Sequence, residues 1–364
     1  MRREDPLKGP LVVGAGPAGC AAAIVLARGG AKPLLVDRDA EAGDALCGGF
    51  LSWRTAQRLH GLGVDPETLG GHPIERLLLF GEGRPVEIAL PQRAFGLSRK
   101  ALDTALRESA LAAGAELAID TVRQVEGLHV TGRAHEWRAE SLFLATGKHD
   151  LRGTARPRSA KDPALGLRVR LAPSSGLAKR LANTIELHLF DGGYAGIVLQ
   201  EDGSANVCLA VRKSLIGEAG ANPMELLARL AAGHPHFALR LEAGWREARV
   251  DTIGSVPYGW SAQATEPGVF RLGDQAAVIP SLAGEGIDIA LASGIAAAEA
   301  WLTGAAEAAP AYQQALHERV RGPLMWAGAA WGLAERPAIT RLGLAAARLA
   351  PGLISRLVDA TRLH

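Results

Sequence analysis

Apolar positions along this chain recur in two periods, and the switches between them mark the elements. An apolar run at 11–13 breaks into a glycine-rich turn, an alanine-rich stretch at 18–28 stops at Gly29 and Gly30, and a second apolar run follows at 33–36. This predicts strand, helix and parallel strand. Pro10 and Pro33 fall at strand starts, where a missing N–H is tolerated. Residues 40–54 are too rich in glycine for a regular element and read as a loop lying over a ligand, ahead of a helix at 55–62. Runs at 76–80 and 85–90 flank Gly-Glu-Gly-Arg, a hairpin signal. An amphipathic helix over 100–113 sets Leu102, Leu106 and Ala110 on one face.

Short strand-like runs follow at 116–119, 122–126, 128–131 and 136–139, then an apolar strand at 142–145. The pattern lengthens beyond residue 165, with β runs at 167–171, 185–190, 194–200 and 206–212 and a turn at 201–204. These predict a separate antiparallel sheet. An apolar strand at 269–272 ends in Gly273-Asp274, a helix of small residues covers 286–302, and 311–364 reads as helical with breaks at Pro323, Pro337 and Pro351.

Composition narrows the partners more than the fold. The 364 residues hold 40 basic and 38 acidic side chains for a net charge of +2, so no global field draws the chain to nucleic acid. Cys20, Cys47 and Cys208 lie far apart with no C-x-x-C, which argues against a disulfide framework or structural zinc and for a reducing cytoplasm. No metal is expected. The N-terminus lacks an apolar signal region, and uncharged apolar stretches such as 323–334 are too short to span a bilayer. In the C-terminal segment Ile339, Leu342, Leu349, Leu353, Ile354 and Leu357 alternate with Arg341, Arg348, Arg356 and Arg362. Docking on the protein itself or on a second subunit is favoured there over peripheral contact with a membrane.

The chemistry starts at the first turn. Gly14, Gly16 and Gly19 form G-x-G-x-x-G between the first strand and helix, and Asp37 closes the second strand. Gly14 allows the tight turn, Gly16 lets backbone N–H groups approach a pyrophosphate, and Gly19 lets helix and strand pack closely. Asp37 is placed to accept from a ribose diol. This is a dinucleotide site, with FAD favoured over NAD by what lies downstream.

Four motifs together resemble the FAD-dependent oxidoreductase superfamily that contains aromatic-ring monooxygenases, geranylgeranyl reductases and flavin-dependent halogenases. They are Gly14-x-Gly16-Pro17-Ala18-Gly19 with Asp37, Ser98-Arg99-x-x-Leu102-Asp103, Ala145-Thr146-Gly147, and Leu272-Gly273-Asp274 followed by Pro280 and Gly284-Glu285-Gly286. The resemblance covers most of residues 10–302. It implies that Arg99 reaches the FAD phosphate or ribityl region, that Thr146 and Gly147 pack against the first turn, and that Asp274 contacts the ribityl chain. Gly284, Gly286 and the helix N-terminus beyond them would bring donors to the flavin N1/C2 edge. Arg38, Cys47, Gly48, Val122 and Ile287 complete the expected cofactor-binding set. The implied fold is α/β: a glutathione-reductase-type Rossmann FAD-binding domain (1–75, 95–160 and 265–305) with an interleaved antiparallel β-sheet substrate domain (76–94 and 161–264) and C-terminal helices (306–364).

The subgroup signals conflict. Cys47-Gly-Gly-Phe-Leu-Ser52 is similar to a loop of geranylgeranyl reductases, and Gly193-Tyr194-x-Gly196 with Asn206 sits where they carry an aromatic sheet motif, yet the tryptophan of that motif is missing. Gln275 and Val278 depart from many aromatic hydroxylases, and none of the seven tryptophans forms the halogenase motif. Oxygenation of a lipophilic aromatic or polyketide-like substrate is favoured, with NAD(P)H or an external reductase partner as electron donor. An ene reductase acting on an isoprenoid chain is the alternative, and a flavin-binding protein without turnover a third.

Individual residues divide in the same way. Cys47, Tyr194 and Pro280 are the candidate catalytic residues, with a small loop residue and sheet packing as the plain readings of Cys47 and Tyr194. A solvated loop histidine is favoured for His149 over a base, and a first-turn acid complementing the helix dipole for Asp288 over a proton relay. Lys148, Arg152, Arg156 and Arg158 form a basic cluster, read first as a solvated loop and second as a dock for NADPH or an acyl carrier.

Overall fold

Strands buried on both faces need near-continuous apolar sequence, and Leu11–Val13 and Leu142–Leu144 have it: every residue in both is buried. The computed structural model of the protein describes every residue except 1, 2, 5, 6, 8, 82, 158, 159, 242, 243, 337–342, 345–351, 353–357 and 364. Its elements begin with β1 (Arg3–Glu4), β2 (Leu11–Val13), α1 (Pro17–Arg28), β3 (Leu34–Asp37), β4 (Phe50–Leu51), α2 (Trp53–Gly61), β5 (His72–Phe80) and β6 (Val86–Gly96). Next come α3 (Arg99–Ala112), β7 (Glu116–Ile119), β8 (Gln124–Glu126), β9 (His129–Thr131), β10 (His135–Arg138), β11 (Leu142–Leu144), β12 (Ala164–Leu171), α4 (Ser175–Arg180), β13 (Thr184–Phe190) and β14 (Gly193–Leu199). The chain continues through β15 (Ala205–Arg212), α5 (Lys213–Glu218), α6 (Pro223–Gly233), α7 (Pro235–Leu241), β16 (Val250–Val256), β17 (Val269–Arg271), α8 (Gly286–Gly304) and α9 (Ala309–Ala334).

A five-stranded sheet in the order β17-β11-β2-β3-β7 is parallel throughout. Its core continues into α1, α3 and α8 through Ile24, Leu102, Leu106, Phe270 and Leu291. On another flank the small sheet β1-β10-β9-β8 buries Trp137, Val130 and Val125 against Leu11, Val13, Leu142 and Leu144. The close approach of α8 to α1 rests on Gly294, where an added Cβ would lie 2.3 Å from the Ala18 carbonyl oxygen.

The second large sheet has eight strands in the order β16-β12-β15-β14-β13-β5-β6-β4. It is mixed, which corrects the expectation of an antiparallel sheet: β13 pairs with β5 in parallel. The hairpin β5–β6 comes from a distant part of the chain and joins the β13 edge, so its direction is not set by a tight turn. Helices α6 and α7, which the sequence pattern did not predict, pack Leu226, Leu227, Leu230, Phe237 and Leu241 on Leu167, Val169, Phe190, Ile197 and Val207 of this sheet.

Three other expectations change. The loop at 40–54 ends sooner, because β4 pairs with β6 and Ser52 caps α2 by accepting from the Thr55 N–H. Pro323 does not break the last helix: α9 runs through it, with Val320, Pro323, Leu324 and Ala327 buried along one side. The missing N–H is offset by that packing. The helical run Gly286–Ala334 is long and apolar enough to cross a bilayer by length and composition alone. Its first part packs on α1 and buries Ile289, Leu291, Ala292, Ala297 and Ala298. Pro337, Ile339, Arg341, Leu342, Arg348, Leu349, Pro351, Leu353, Ile354, Arg356, Leu357 and Arg158 lie outside the described residues.

Gly294→Val drives a side chain into the α1 backbone and should destabilise the protein by about 3 kcal/mol. Denaturant unfolding reads this as a lower midpoint, and an unchanged midpoint would refute the close helix crossing.

Candidate functional site

The turn after β2 is built by forbidden side chains. Gly14 has φ +105°, and a Cβ there would lie 2.4 Å from the Ala145 carbonyl oxygen, while a Cβ on Gly19 would lie 1.9 Å from the Gly14 carbonyl oxygen. Gly16 differs: among the described residues only Arg99 Nη2, at 3.6 Å, stands near the position its Cβ would take. The bare Gly16 backbone, Pro17 and Ala18 line a cavity of about 1270 Å³. Sites for one drug-sized ligand span roughly 300–1,000 Å³, so this one has room for a dinucleotide and a second molecule.

Asp37 does less for a ligand than its position implies. Its Oδ2 accepts from the Ala15 N–H at 2.7 Å and its Oδ1 from the Asp39 N–H at 3.0 Å. A carboxylate keeps further lone pairs, so Asp37 both fixes the turn and offers acceptors to the cavity that it lines. Arg38 lies at the same end, exposed and paired with Asp39 at 2.9 Å.

Arg99 faces Gly16 from the start of α3. Asp103, one turn on, holds its Nε at 2.8 Å and Nη2 at 2.6 Å, which leaves Nη1 outside the pair. Burial works against the Arg99 charge, but the Asp103 carboxylate outweighs it and raises the guanidinium above its usual range. A permanent cation is thereby aimed at the glycine turn, as a phosphate requires. Val122, Thr146, Gly147, Gly273, Asp274, Gly284, Gly286 and Ile287 also line the cavity. Gly284 (φ +69°) packs on Phe50, and among the described residues nothing stands near the position of a Cβ on Gly286 at the start of α8. Together the open glycine backbones, Arg99 and the carboxylate of Asp37 fit a pyrophosphate-linked dinucleotide such as FAD.

The loop bearing Cys47 and Gly48 lies over this space because side chains of the large sheet tie it down. Asn206 Nδ2 donates to the carbonyls of Cys47 at 2.9 Å and Gly48 at 2.8 Å. Arg168 donates to the carbonyls of Asp44 and Ala45, and Lys148 to that of Leu46. The sequence singled out Asn206 only as part of a motif; its tie to the loop shows only in the fold.

Tyr194 also lines the cavity and donates to Ser281 Oγ at 2.9 Å. Pro280 is buried, and its neighbours Ile279 and Ser281 line the cavity while it does not. Asp288 is likewise off the cavity, fully buried and paired with Arg58 at 2.9 Å; burial raises its carboxyl against that pull. His149 is an exposed loop residue at the cavity wall, and partial burial, followed by Arg38, Lys148 and Arg156, lowers its imidazole below the usual range. Arg156, by contrast, is no solvated loop cation, being 5% exposed and bonded to Asp150 and to the carbonyls of Lys148 and Asp274. Arg152 is exposed. Arg362 of the amphipathic C-terminal segment is buried and paired with Glu285, between Gly284 and Gly286. Cys208 joins the lining, and burial, with Cys47 adding to it, pushes its thiol up to about 12.

The cavity is also lined by an apolar set, Leu77, Leu79, Leu90, Ile185, Leu187 and Leu189, together with Leu333 and Ala334 of α9. On β13 the alternation is inverted from that of a surface strand. Glu186 and His188 are buried under α7, where Arg240 holds Glu186 at 2.7 Å, and the alternate residues Ile185, Leu187 and Leu189 face the cavity.

A model of the FAD binding domain matches residues 10–152. Menaquinone reductase of Mycobacterium tuberculosis is 29% identical to this chain over 313 residues, 79% of this chain and 75% of that one. Digeranylgeranylglycerophospholipid reductase 2 of Methanopyrus kandleri is 30% identical over 308 residues, again 79% and 75%. Among solved structures, a flavin-dependent brominase superposes with a TM-score of 0.76 over 98% of this chain and 94% of its own, at 16% identity. A geranylgeranyl bacteriochlorophyll reductase-like protein of Thermoplasma acidophilum gives 0.70 over 97% and 98%, at 20% identity. At such identities the structural likeness speaks for the fold alone.

Two measurements check the site. Asn206→Ala frees the Cys47–Gly48 carbonyls, and losing two hydrogen bonds at about 1 kcal/mol each should weaken FAD binding to the apoprotein about 30-fold in a titration. With its thiol near 12, only about one in ten thousand Cys208 groups is ionised at pH 8, so iodoacetamide should leave it unmodified in the folded protein. Rapid labelling of Cys208 under those conditions contradicts the raised thiol.

Proposed function

The chain belongs to the FAD-dependent oxidoreductase superfamily of aromatic-ring monooxygenases and geranylgeranyl reductases, and from that premise we propose that it is a reductase of a lipid carrying an isoprenoid-like chain. The observation that carries this reading is the apolar arm: Leu77, Leu79, Ile185, Leu187 and Leu189 present branched side chains to a cavity continuous with the cofactor cradle. Burying apolar chain there contributes roughly 0.8 kcal/mol per methylene, enough to hold a prenyl chain without polar contacts.

Relatives at 29–30% identity support reduction over the oxygenation favoured by the sequence motifs, since both are named as reductases of lipids, a quinone and a digeranylgeranylglycerophospholipid. FAD, when bound, supplies a centre for hydride transfer. Arg99 with Asp103 holds the phosphate end, and the backbone of Gly284 and Gly286 borders the end nearer the arm. The loop at 44–48, pinned by Asn206 and Arg168, excludes water from the space between loop and sheet. Electrons arrive in this reading from NAD(P)H or a partner reductase, and Leu333, exposed yet part of the cavity lining, marks where an apolar chain enters.

Anaerobic turnover decides between the chemistries. Photoreduced holoenzyme mixed with a prenylated lipid should be reoxidised without oxygen and yield a product with two more hydrogens by mass spectrometry. A product carrying an added oxygen atom, formed only in air, overturns the reductase assignment in favour of a monooxygenase.

A further inference from the structure

Three hydroxyl groups meet on the cavity wall just before the Gly284–Gly286 loop, and nothing above assigns them a ligand. Tyr194 Oη donates to Ser281 Oγ at 2.9 Å, and Tyr258 Oη lies 2.8 Å from the same oxygen. All three residues line the cavity. The Trp331 ring stands 5.7 Å from each tyrosine ring, edge-on to Tyr194 and tilted to Tyr258, which fixes both rings. Burial holds both phenols protonated above their usual range, so each remains a donor.

Three O–H groups sharing two contacts leave one hydroxyl hydrogen uncommitted within the cluster, whichever way Ser281 and Tyr258 divide theirs. When both tyrosines donate to Ser281, the free hydrogen is that of Ser281, and two donors on its oxygen strengthen it as a donor in turn. The floor beside the cluster is bare. Gly196, adjoining Tyr194 on the cavity face of β14, would place a Cβ no closer than 3.5 Å to any atom of the described residues, so the glycine leaves open a surface that a side chain would cover.

We propose that Ser281, Tyr194 and Tyr258 form a binding site for a carbonyl oxygen on a flat ring, of the quinone or aryl-ketone class, with the ring lying over Gly196. This site rests on the lipophilic-substrate reading above and extends it: the substrate is an amphiphile whose oxygenated ring binds at Ser281 and whose chain follows Ile185, Leu187 and Leu189. A carbonyl suits the cluster because it accepts a hydrogen bond and brings no donor of its own. A pocket of this kind, apolar with a few placed polar groups, uses them to fix orientation.

The test titrates oxidised holoenzyme with 1,4-naphthoquinone and with naphthalene, following quenching of flavin fluorescence. Ser281→Ala should weaken the quinone roughly 3- to 10-fold and leave naphthalene unchanged, and Tyr258→Phe should act in the same direction, with the flavin spectrum confirming an intact site in each variant. Equal losses for both probes assign the cluster a purely structural role and overturn the proposal. So does an unchanged quinone affinity, or a wild-type protein that binds no quinone. Because the titration needs no turnover, a failed anaerobic reduction sinks the reductase reading and leaves this result standing.

Discussion

The cradle depends on one steric constraint: α1 must begin closer to its neighbours than any side chain allows. A Cβ on Gly19 would sit 1.9 Å from the Gly14 carbonyl oxygen, one on Gly14 2.4 Å from that of Ala145, and one on Gly294 2.3 Å from that of Ala18. These contacts draw the β2 turn, the end of β11 and the middle of α8 around a single helix N-terminus. The unpaired N–H groups there gain a site for negative charge, and Arg99 adds a full cation beside it. Gly16 is the exception that gives the others their use, since the space its side chain would take belongs to the cavity.

The parallel sheet alone makes only half of a site. The other half comes from the large sheet through Asn206 and Arg168, which reach across to backbone carbonyls of the 44–48 loop. Asn206 is fully buried, and its Oδ1 has no partner among the described residues, a cost that its two donated bonds must offset. The loop is thus held by the sheet that forms the opposite wall, so the width of the gap is set by side chains rather than by loop flexibility. The inverted strand β13 follows the same logic: Glu186 tolerates burial because Arg240 and His188 satisfy it, which frees the opposite face to be wholly apolar.

Local periodicity made the strands legible, and the runs at 116–119, 185–190 and 206–212 fall within a residue or two of β7, β13 and β15. The glycine turn was legible because its spacing states a steric need. What stayed hidden depends on partners remote in sequence. The parallel pairing of β5 with β13, the burial of Arg156 and Arg362, and the meeting of Tyr258 with Ser281 have no local signature. The alternation Glu186, His188, Phe190 against Ile185, Leu187, Leu189 was plain, but a period of two cannot say which face is covered by protein and which borders a cavity. Pro323 misled for the same reason, since the packing that carries α9 through it lies in the core and not in its neighbours.

The pair Glu285–Arg362 extends this argument to the end of the chain. A buried carboxylate between two glycines at the start of α8 stands where a helix N-terminus favours negative charge, yet without a cation its desolvation would cost more than the dipole returns. Arg362 supplies that cation, stacked over Trp53 at 4.7 Å, while burial, and after it Arg54, push the guanidinium down to about 10. Val358, Thr361 and Arg362 thereby enter the cavity lining beside Gly284 and Gly286. Residues near Arg362 and the Gly284–Gly286 turn thus share one stretch of cavity wall, and the charge set between the two glycines is matched by a cation remote in sequence.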